Sequence, residues 1–246
     1  MAAQQTTFTL EAMQFFGRLG GDYVAMFGLT LASLAGKRVL DCPSGPSSFV
    51  AELHALGVDA VGVDPLYAES REALVARGVA DVEHTVSRMR ANAAAFADLD
   101  LDAYAASKLR ALDGFAAHYD EGKSRGHYVA ASLPELPFAD RSFDLTLSAH
   151  LLFTYSDPST GGLLKGSPFT PEWHLAAADE LMRVTRGELR LYPTTTRWER
   201  PARHPLAERI AGRFAALGFG VRFEPSTFAR GNHAIDALNA CLVVTR

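Results

Sequence analysis

The segment KRVLDCPSGPSSFVAEL, residues 37–53, decides how the rest of the chain is read. Val39, Leu40 and Cys42 give an apolar run that reads as a buried strand over 38–42. Pro43-Ser44-Gly45-Pro46-Ser47 is rich in turn residues. Ser47 or Ser48 is placed to cap a helix that carries Phe49, Leu53 and Leu56 and stops at Gly57. A second strand, VDAVGV at 58–63, closes at Asp64-Pro65. Strand, tight turn, helix and strand form a βαβ unit, which implies a parallel sheet with a right-handed crossover.

The same alternation extends along the chain. Strand patterns recur at 127–131 (HYVAA), 143–148 (FDLTLS) and 188–192 (ELRLY), and a closing pair at 219–223 and 239–245 reads as a hairpin. Helical periodicity covers 171–185, with Pro171 suited to a first turn, and 205–217. The expected fold is α/β: a Rossmann-like seven-stranded, mostly parallel sheet with helices on both faces, forming one domain over 1–246. Two segments stand outside that frame. Residues 1–35 read as an N-terminal helical segment, helix-like over 8–35 with interruptions at Gly17, Gly20 and Gly21. Residues 69–126 carry only helical signals, with Val82, Val86, Met89, Ala93 and Phe96 on one stripe. One crossover helix needs about a dozen residues, so two extra helices are expected there, as a cap over the ligand or as scaffolding that lengthens the crossover.

Composition narrows the function. The chain has 246 residues, is 48% hydrophobic and 21% charged, and carries a net charge of −4. That balance lacks the basic footprint of a nucleic-acid binder. No apolar run is long enough for a membrane helix, and the first residues lack the basic-then-apolar order of a signal peptide. Two cysteines, Cys42 and Cys241, do not make a disulfide framework, which suits a reducing cytoplasm. Neither has a nearby Cys or His partner, so no metal is expected.

In an open α/β sheet, ligands lie beyond the carboxyl ends of the strands at the switch point. The loop from Pro43 to Ser47 stands there, and its N–H groups face a ligand or the helix start. Asp64 lies at the end of the second strand, 23 residues after Asp41. At that place a carboxylate holds ribose hydroxyls or caps the turn before Pro65. A dinucleotide needs G-x-G-x-x-G, where the pyrophosphate meets bare backbone. Gly45 is the loop's lone glycine, so a ligand without phosphates fits better.

These residues resemble the class I S-adenosylmethionine-dependent methyltransferases, in the small-molecule branch. Asp41 and Gly45 match the acidic residue and a glycine of the first motif, with Pro43 and Ser47 in place of flanking glycines. Asp64 matches the acidic residue after the second strand. Leu136, Pro137, Phe138, Asp140, Ser142, Phe143 and Asp144 match an LPF-x-D-x-SFD segment. The resemblance covers roughly 36–68 and 127–195, weakly the C-terminal part, and leaves 69–126 outside. It implies S-adenosyl-L-methionine as cofactor and a small-molecule methyl acceptor as partner. It implies that Asp41, Cys42, Pro43, Ser44 and Gly45 face the methionine part, and that Asp64, with Pro65, holds the ribose. The acidic residue that often contacts adenine falls at Ser132, next to Leu133. Ser148, Ala149 and His150 end the fourth strand, where the family brings its reacting methyl.

His150 is the candidate base, or else a neutral histidine that packs on a loop. Tyr155 and Asp157 follow it as candidates for the substrate pocket. Tyr23 and Phe27 join them if the N-terminal helix closes over the cofactor; otherwise, with Met26, they pack on the sheet. His174 reads as a partly buried surface histidine, and His54, His84 and His118 carry no motif. The alternatives to a methyltransferase are a protein that binds S-adenosylmethionine or S-adenosylhomocysteine without catalysis and a nicotinamide-dependent oxidoreductase, the latter opposed by the absent G-x-G-x-x-G.

Overall fold

A computed structural model describes residues 8–195, 202–229 and 238–246. Seven strands form one sheet: β1 (Arg38–Asp41), β2 (Asp59–Val63), β3 (Tyr128–Val129), β4 (Phe143–Ala149), β5 (Thr185–Tyr192), β6 (Gly220–Pro225) and β7 (Ala240–Thr245). Their order is β3-β2-β1-β4-β5-β7-β6. Every neighbouring pair is parallel except those made by β7, which runs antiparallel to β5 and β6. This is the α/β, mostly parallel architecture expected from the sequence, down to the closing antiparallel pair.

The helices are α1 (Gly20–Phe27), α2 (Phe49–Ala55), α3 (Arg71–Ala91), α4 (Leu101–Ser124), α5 (Leu151–Thr154), α6 (Pro171–Val184) and α7 (Pro205–Ala216). Both faces of the sheet are covered. Val39, Leu145, Leu147 and Val243 pack toward Tyr23, Phe27, Phe49, Leu112 and Phe115 on one side. Leu40, Leu189, Leu191 and Leu242 pack toward Leu181, Met182, Ile210 and Phe214 on the other. Alternate strand residues therefore feed opposite cores, as the two-residue strand period requires. The long helices α3 and α4 fill the crossover between β2 and β3, where two extra helices are expected. Among the described residues no helix is long and apolar enough to cross a membrane.

The structure departs from the sequence reading in several places. The helical segment expected over 8–35 is helical only in α1 and in a 3₁₀ turn at Leu31–Leu34. Residues 8–19 form neither helix nor strand, and their polar groups find partners on other elements. Leu10 bridges Leu164, Phe15 N donates to Asp81 Oδ2 at 2.6 Å, and Arg88 donates to Thr9 O at 2.8 Å. Ser48 stands at the N-cap of α2, but its backbone is already right-handed helical and its hydroxyl donates to Glu52 instead of capping. His174 is fully buried, its Nδ1 2.8 Å from Thr170 O, and is no surface residue. Residues Arg230-Gly231-Asn232-His233, which read in sequence as a turn between the two closing strands, lie outside the described residues.

The LPF-x-D-x-SFD segment has a structural task in this chain. Arg183 of α6 donates to Phe138 O at 2.9 Å, Leu136 O at 3.2 Å, Asp140 Oδ1 at 2.7 Å and both oxygens of Glu180 at 2.7 Å. Asp144 pairs with Arg186 and accepts from Arg38 N at 2.9 Å. These bonds fasten the amino end of β4 to α6 and β5, at the far end of the strand from Ala149. Arg183→Ala removes the whole fork and leaves the partly buried Glu180 without its cation. The expected loss is about 2 kcal/mol of folding stability, read by chemical denaturation. Arg183→Lys is expected to recover only part of it, because one ammonium cannot reproduce the fork.

Candidate active site

The chain leaves β1 toward β2 and returns through β4, so the sheet opens beyond the carboxyl ends of β1, β2 and β4. Two cavities and a recess lie there. The first, about 390 Å³, is lined by Cys42, Pro43, Asp64, Pro65, Ser132 and Leu133, with Phe169 and Trp173 across from them. The two rings stack with centroids 4.1 Å apart. The second, about 200 Å³, is lined by Tyr23, Pro43, Ser44, Gly45, Ala149 and His150. Gln14, Phe15, Pro43, Asp64 and Tyr155 line both, so the cavities adjoin. A recess of about 320 Å³ continues past His150 between Arg18, Tyr104, Lys108 and Phe228.

Asp41 closes β1 and is 1% exposed. Its Oδ2 accepts from Tyr23 OH at 2.7 Å, and its Oδ1 has no hydrogen-bond partner of good geometry. Burial pushes the carboxyl up to about 7, against hydrogen bonds from Tyr23 and Ser44 that pull it down. Asp64 is set differently. Oδ1 accepts from Leu66 N at 2.9 Å and Oδ2 from Gly45 N at 3.2 Å. Burial raises its carboxyl to about 6, opposed by those two backbone bonds. The turn-capping role is thus present in the structure. Each carboxylate oxygen accepts about two bonds, so capping leaves one acceptor site per oxygen.

Two of the loop's three N–H donors, and that of Ser48 just after it, are spent on the protein. Ser44 N donates to Val63 O at 2.8 Å, Gly45 N to Asp64, and Ser48 N to Arg18 O at 3.2 Å. Gly45 has φ +54°, a left-handed conformation that favours glycine, although a side chain there would meet nothing. Gly17 is needed for the opposite reason, since a Cβ there would stand 2.2 Å from Pro46 O. The segment 8–19 therefore lies directly on the loop, and through Gln14 and Phe15 it forms a wall of both cavities.

His150 sits between β4 and α5 with φ +66°. Such a backbone in a non-glycine residue is costly and recurs at functional sites. It lines the second cavity and the recess, with Nδ1 3.4 Å from Thr154 Oγ1. Tyr155 lines both cavities and its hydroxyl accepts from Gln14 N at 3.3 Å.

Three candidates sit elsewhere. Phe27 is fully buried in the core against Tyr23 and Tyr192, because α1 turns that face to the sheet. Asp157 faces its own turn, accepting from Ser159 N at 2.9 Å and Gly166 N at 3.1 Å. Ser148 is 2% exposed behind Ala149, with its hydroxyl unpartnered among the described residues. Sequence reading missed Gln14, Phe15, Arg18, Tyr104 and Lys108, which reach the site from the segment before α1 and from α4. The Phe15-Phe16-Gly17 run was the one local sign, two aromatics before a close approach. Among the described residues no group of His, Cys, Asp and Glu is arranged to hold a metal.

No family model matches the chain. It is 26% identical over 190 residues to an uncharacterized protein of Methanocaldococcus jannaschii, covering 75% of this chain and 79% of that one. It is 30% identical over 178 residues to a protein of Mycolicibacterium vanbaalenii named an uncharacterized methyltransferase, covering 70% of this chain. The present chain spans 46% of that relative's length. Among solved structures it is similar to magnesium protoporphyrin IX methyltransferase from Synechocystis with bound S-adenosylmethionine. There the TM-score is 0.46 at 14% identity, with 92% of this chain and 80% of that one covered.

The raised pKa of Asp41 has a consequence for stability. Between its unfolded value near 3.8 and about 7, the folded chain holds a proton that the unfolded chain releases. Stability is therefore lost as pH rises through that window, and Asp64 acts in the same direction. Asp41→Asn is expected to be more thermostable than the parent near pH 8 and to show a smaller fall in Tm between about pH 5 and 8, followed by circular dichroism.

Proposed function

We propose that this chain, which has the fold of the class I S-adenosylmethionine-dependent methyltransferases, is an enzyme of that class acting on a small-molecule acceptor. The observation that carries the reading is Asp41, a buried carboxylate at the switch point with one oxygen unsatisfied. A cation is what it lacks, and the cofactor's methionine part offers an ammonium. The other residues fit the same ligand. Asp64 is fixed by two backbone bonds and keeps acceptor sites for ribose hydroxyls. Leu133 and Pro65 offer apolar contact to a planar base, and Ser132 an acceptor for its amine. The loop, with the N–H groups of Ser44 and Gly45 spent and none at Pro43 and Pro46, suits a ligand that brings no phosphate. The methyltransferase name of the Mycolicibacterium relative agrees with this reading.

When bound, S-adenosylmethionine supplies an electrophilic methyl on a sulfonium sulfur, and this carries most of the chemistry. The chain's own residues do the remainder. Asp41 and Asp64 orient the two ends of the cofactor. Gln14 and Phe15 cover it and keep water out. His150, at the border of cavity and recess, receives a proton from an acceptor whose nucleophile carries one. Tyr155 walls the space between.

Isothermal titration calorimetry tests the reading. S-adenosylhomocysteine and S-adenosylmethionine are expected to bind; no heat with either at about millimolar ligand sinks it. Asp64→Ala is expected to cost about 1–3 kcal/mol of cofactor affinity. Because Asp41 must be ionised to hold an ammonium, affinity is expected to fall as pH drops below about 7. Asp41→Asn is expected to bind weakly with that upper pH step gone. His150→Ala is expected to lower turnover by about a hundredfold while cofactor affinity changes little. Binding with no methyl transfer to a broad panel of small acceptors would favour the non-catalytic alternative.

A further inference from the structure

Lys108 is 2% exposed, on the inner side of α4. Its ammonium donates to Gly17 O at 3.2 Å, its one hydrogen bond among the described residues. It lies 5.2 Å from the Tyr104 ring centre and 5.9 Å from that of Phe16. A lysine has three donors and is rarely buried without a carboxylate partner. Here burial pushes its pKa well below the usual value; Arg18 adds to that effect and Asp22 opposes it. Arg18 lines the same recess, with its guanidinium 5.1 Å from the Phe228 ring centre. Neither cation forms an ion pair among the described residues. The acids at the rim do not supply one: Asp100 is committed to capping α4, accepting from Asp102 N and Ala103 N. Asp22, half-buried in α1, lines the same recess but makes no ion pair with either cation among the described residues.

Lys108 and Arg18 therefore line a recess walled by the rings of Tyr104 and Phe228, next to His150, with Asp22 and Asp100 also on its lining. We infer that this recess is the acceptor site and takes a small aromatic acid, its carboxylate held by Lys108 and Arg18. A bound carboxylate gives the buried ammonium the partner it lacks. The aromatic body then lies along Tyr104 and Phe228, with its far end toward His150 and the second cavity. Charge selection is shared between Arg18, before α1, and Lys108 of α4, inside the crossover that the family resemblance does not cover. This inference rests on the methyltransferase reading for the word acceptor, but the anion site itself does not depend on it.

The test uses matched probes on the full chain: benzoate, 4-hydroxybenzoate and indole-3-acetate, each against its neutral amide. Affinities are measured by calorimetry with and without saturating S-adenosylhomocysteine. At least one acid is expected to bind more tightly than its amide by about tenfold or more. Lys108→Met is expected to abolish that preference while S-adenosylhomocysteine still binds. Arg18→Gln, at a half-exposed position, is expected to reduce the preference and serves if the Lys108 variant fails to fold. No preference for acid over amide in any pair overturns the inference, as does a preference kept in full by both variants. If S-adenosylhomocysteine does not bind but the acid preference persists, the cofactor reading fails and the anion site stands.

Discussion

One hydrogen bond organises the ligand side of this molecule: Tyr23 OH to Asp41 Oδ2, buried at the end of the central strand. β1 is flanked by β2 and β4, so a carboxylate at its tip loses water on every side but one. Tyr23 meets this carboxylate with its hydroxyl at 2.7 Å. To do so, its ring stacks on Phe49 with centroids 4.1 Å apart and planes within 9°. Phe49 is the first residue of α2. The bond thus couples α1, β1 and α2 and fixes where the N-terminal segment enters. Arg18 O then accepts from Ser47 Oγ and Ser48 N, and Gly17 is pressed onto Pro46. The wall formed by Gln14 and Phe15 follows from that docking.

The loop between β1 and α2 is shaped by the same requirement. A phosphate-binding loop keeps its N–H groups free and aims them at the ligand. Here those of Ser44, Gly45 and Ser48 close onto Val63, Asp64 and Arg18, while Pro43 and Pro46 have none to offer. The loop is held rigid by its own chain. Recognition is left to carboxylates, which suit ammonium and hydroxyl groups and would repel a pyrophosphate. Replacing glycines with prolines and serines thus changes which ligands the corner accepts.

The sheet and its order of helices were legible because each strand and helix carries its own period. Runs such as Val39-Leu40 and Leu145-Thr146-Leu147 need no knowledge of their neighbours. Asp41, Asp64, Ser132, His150 and Tyr155 were legible as candidates because strand ends can be located from the same periods. Residues 8–19 were not, since they make neither helix nor strand of their own. Their conformation is set by Asp81, Arg88 and Leu164, which are distant in sequence. Phe27 and Asp157 show the converse error. Each lies close in sequence to the site, yet one faces the core and the other caps a turn, and no period says which way a single side chain points.

The segment that most resembles a known family also holds the least of the site. Asp140 and Asp144 anchor Arg183 and Arg186 at the amino end of β4, whereas ligands gather at the carboxyl ends. In this chain the segment fastens a sheet corner. The recess proposed as the acceptor site is built instead from α4 and the segment before α1. There Lys108 reaches across to Gly17, ties the two together, and lines the recess. A lysine kept for packing alone would be replaced at little cost by an apolar side chain of similar length, because a buried cation with a single carbonyl partner opposes folding. Its presence at a wall shared with His150 is better explained by a charge that arrives from outside the chain.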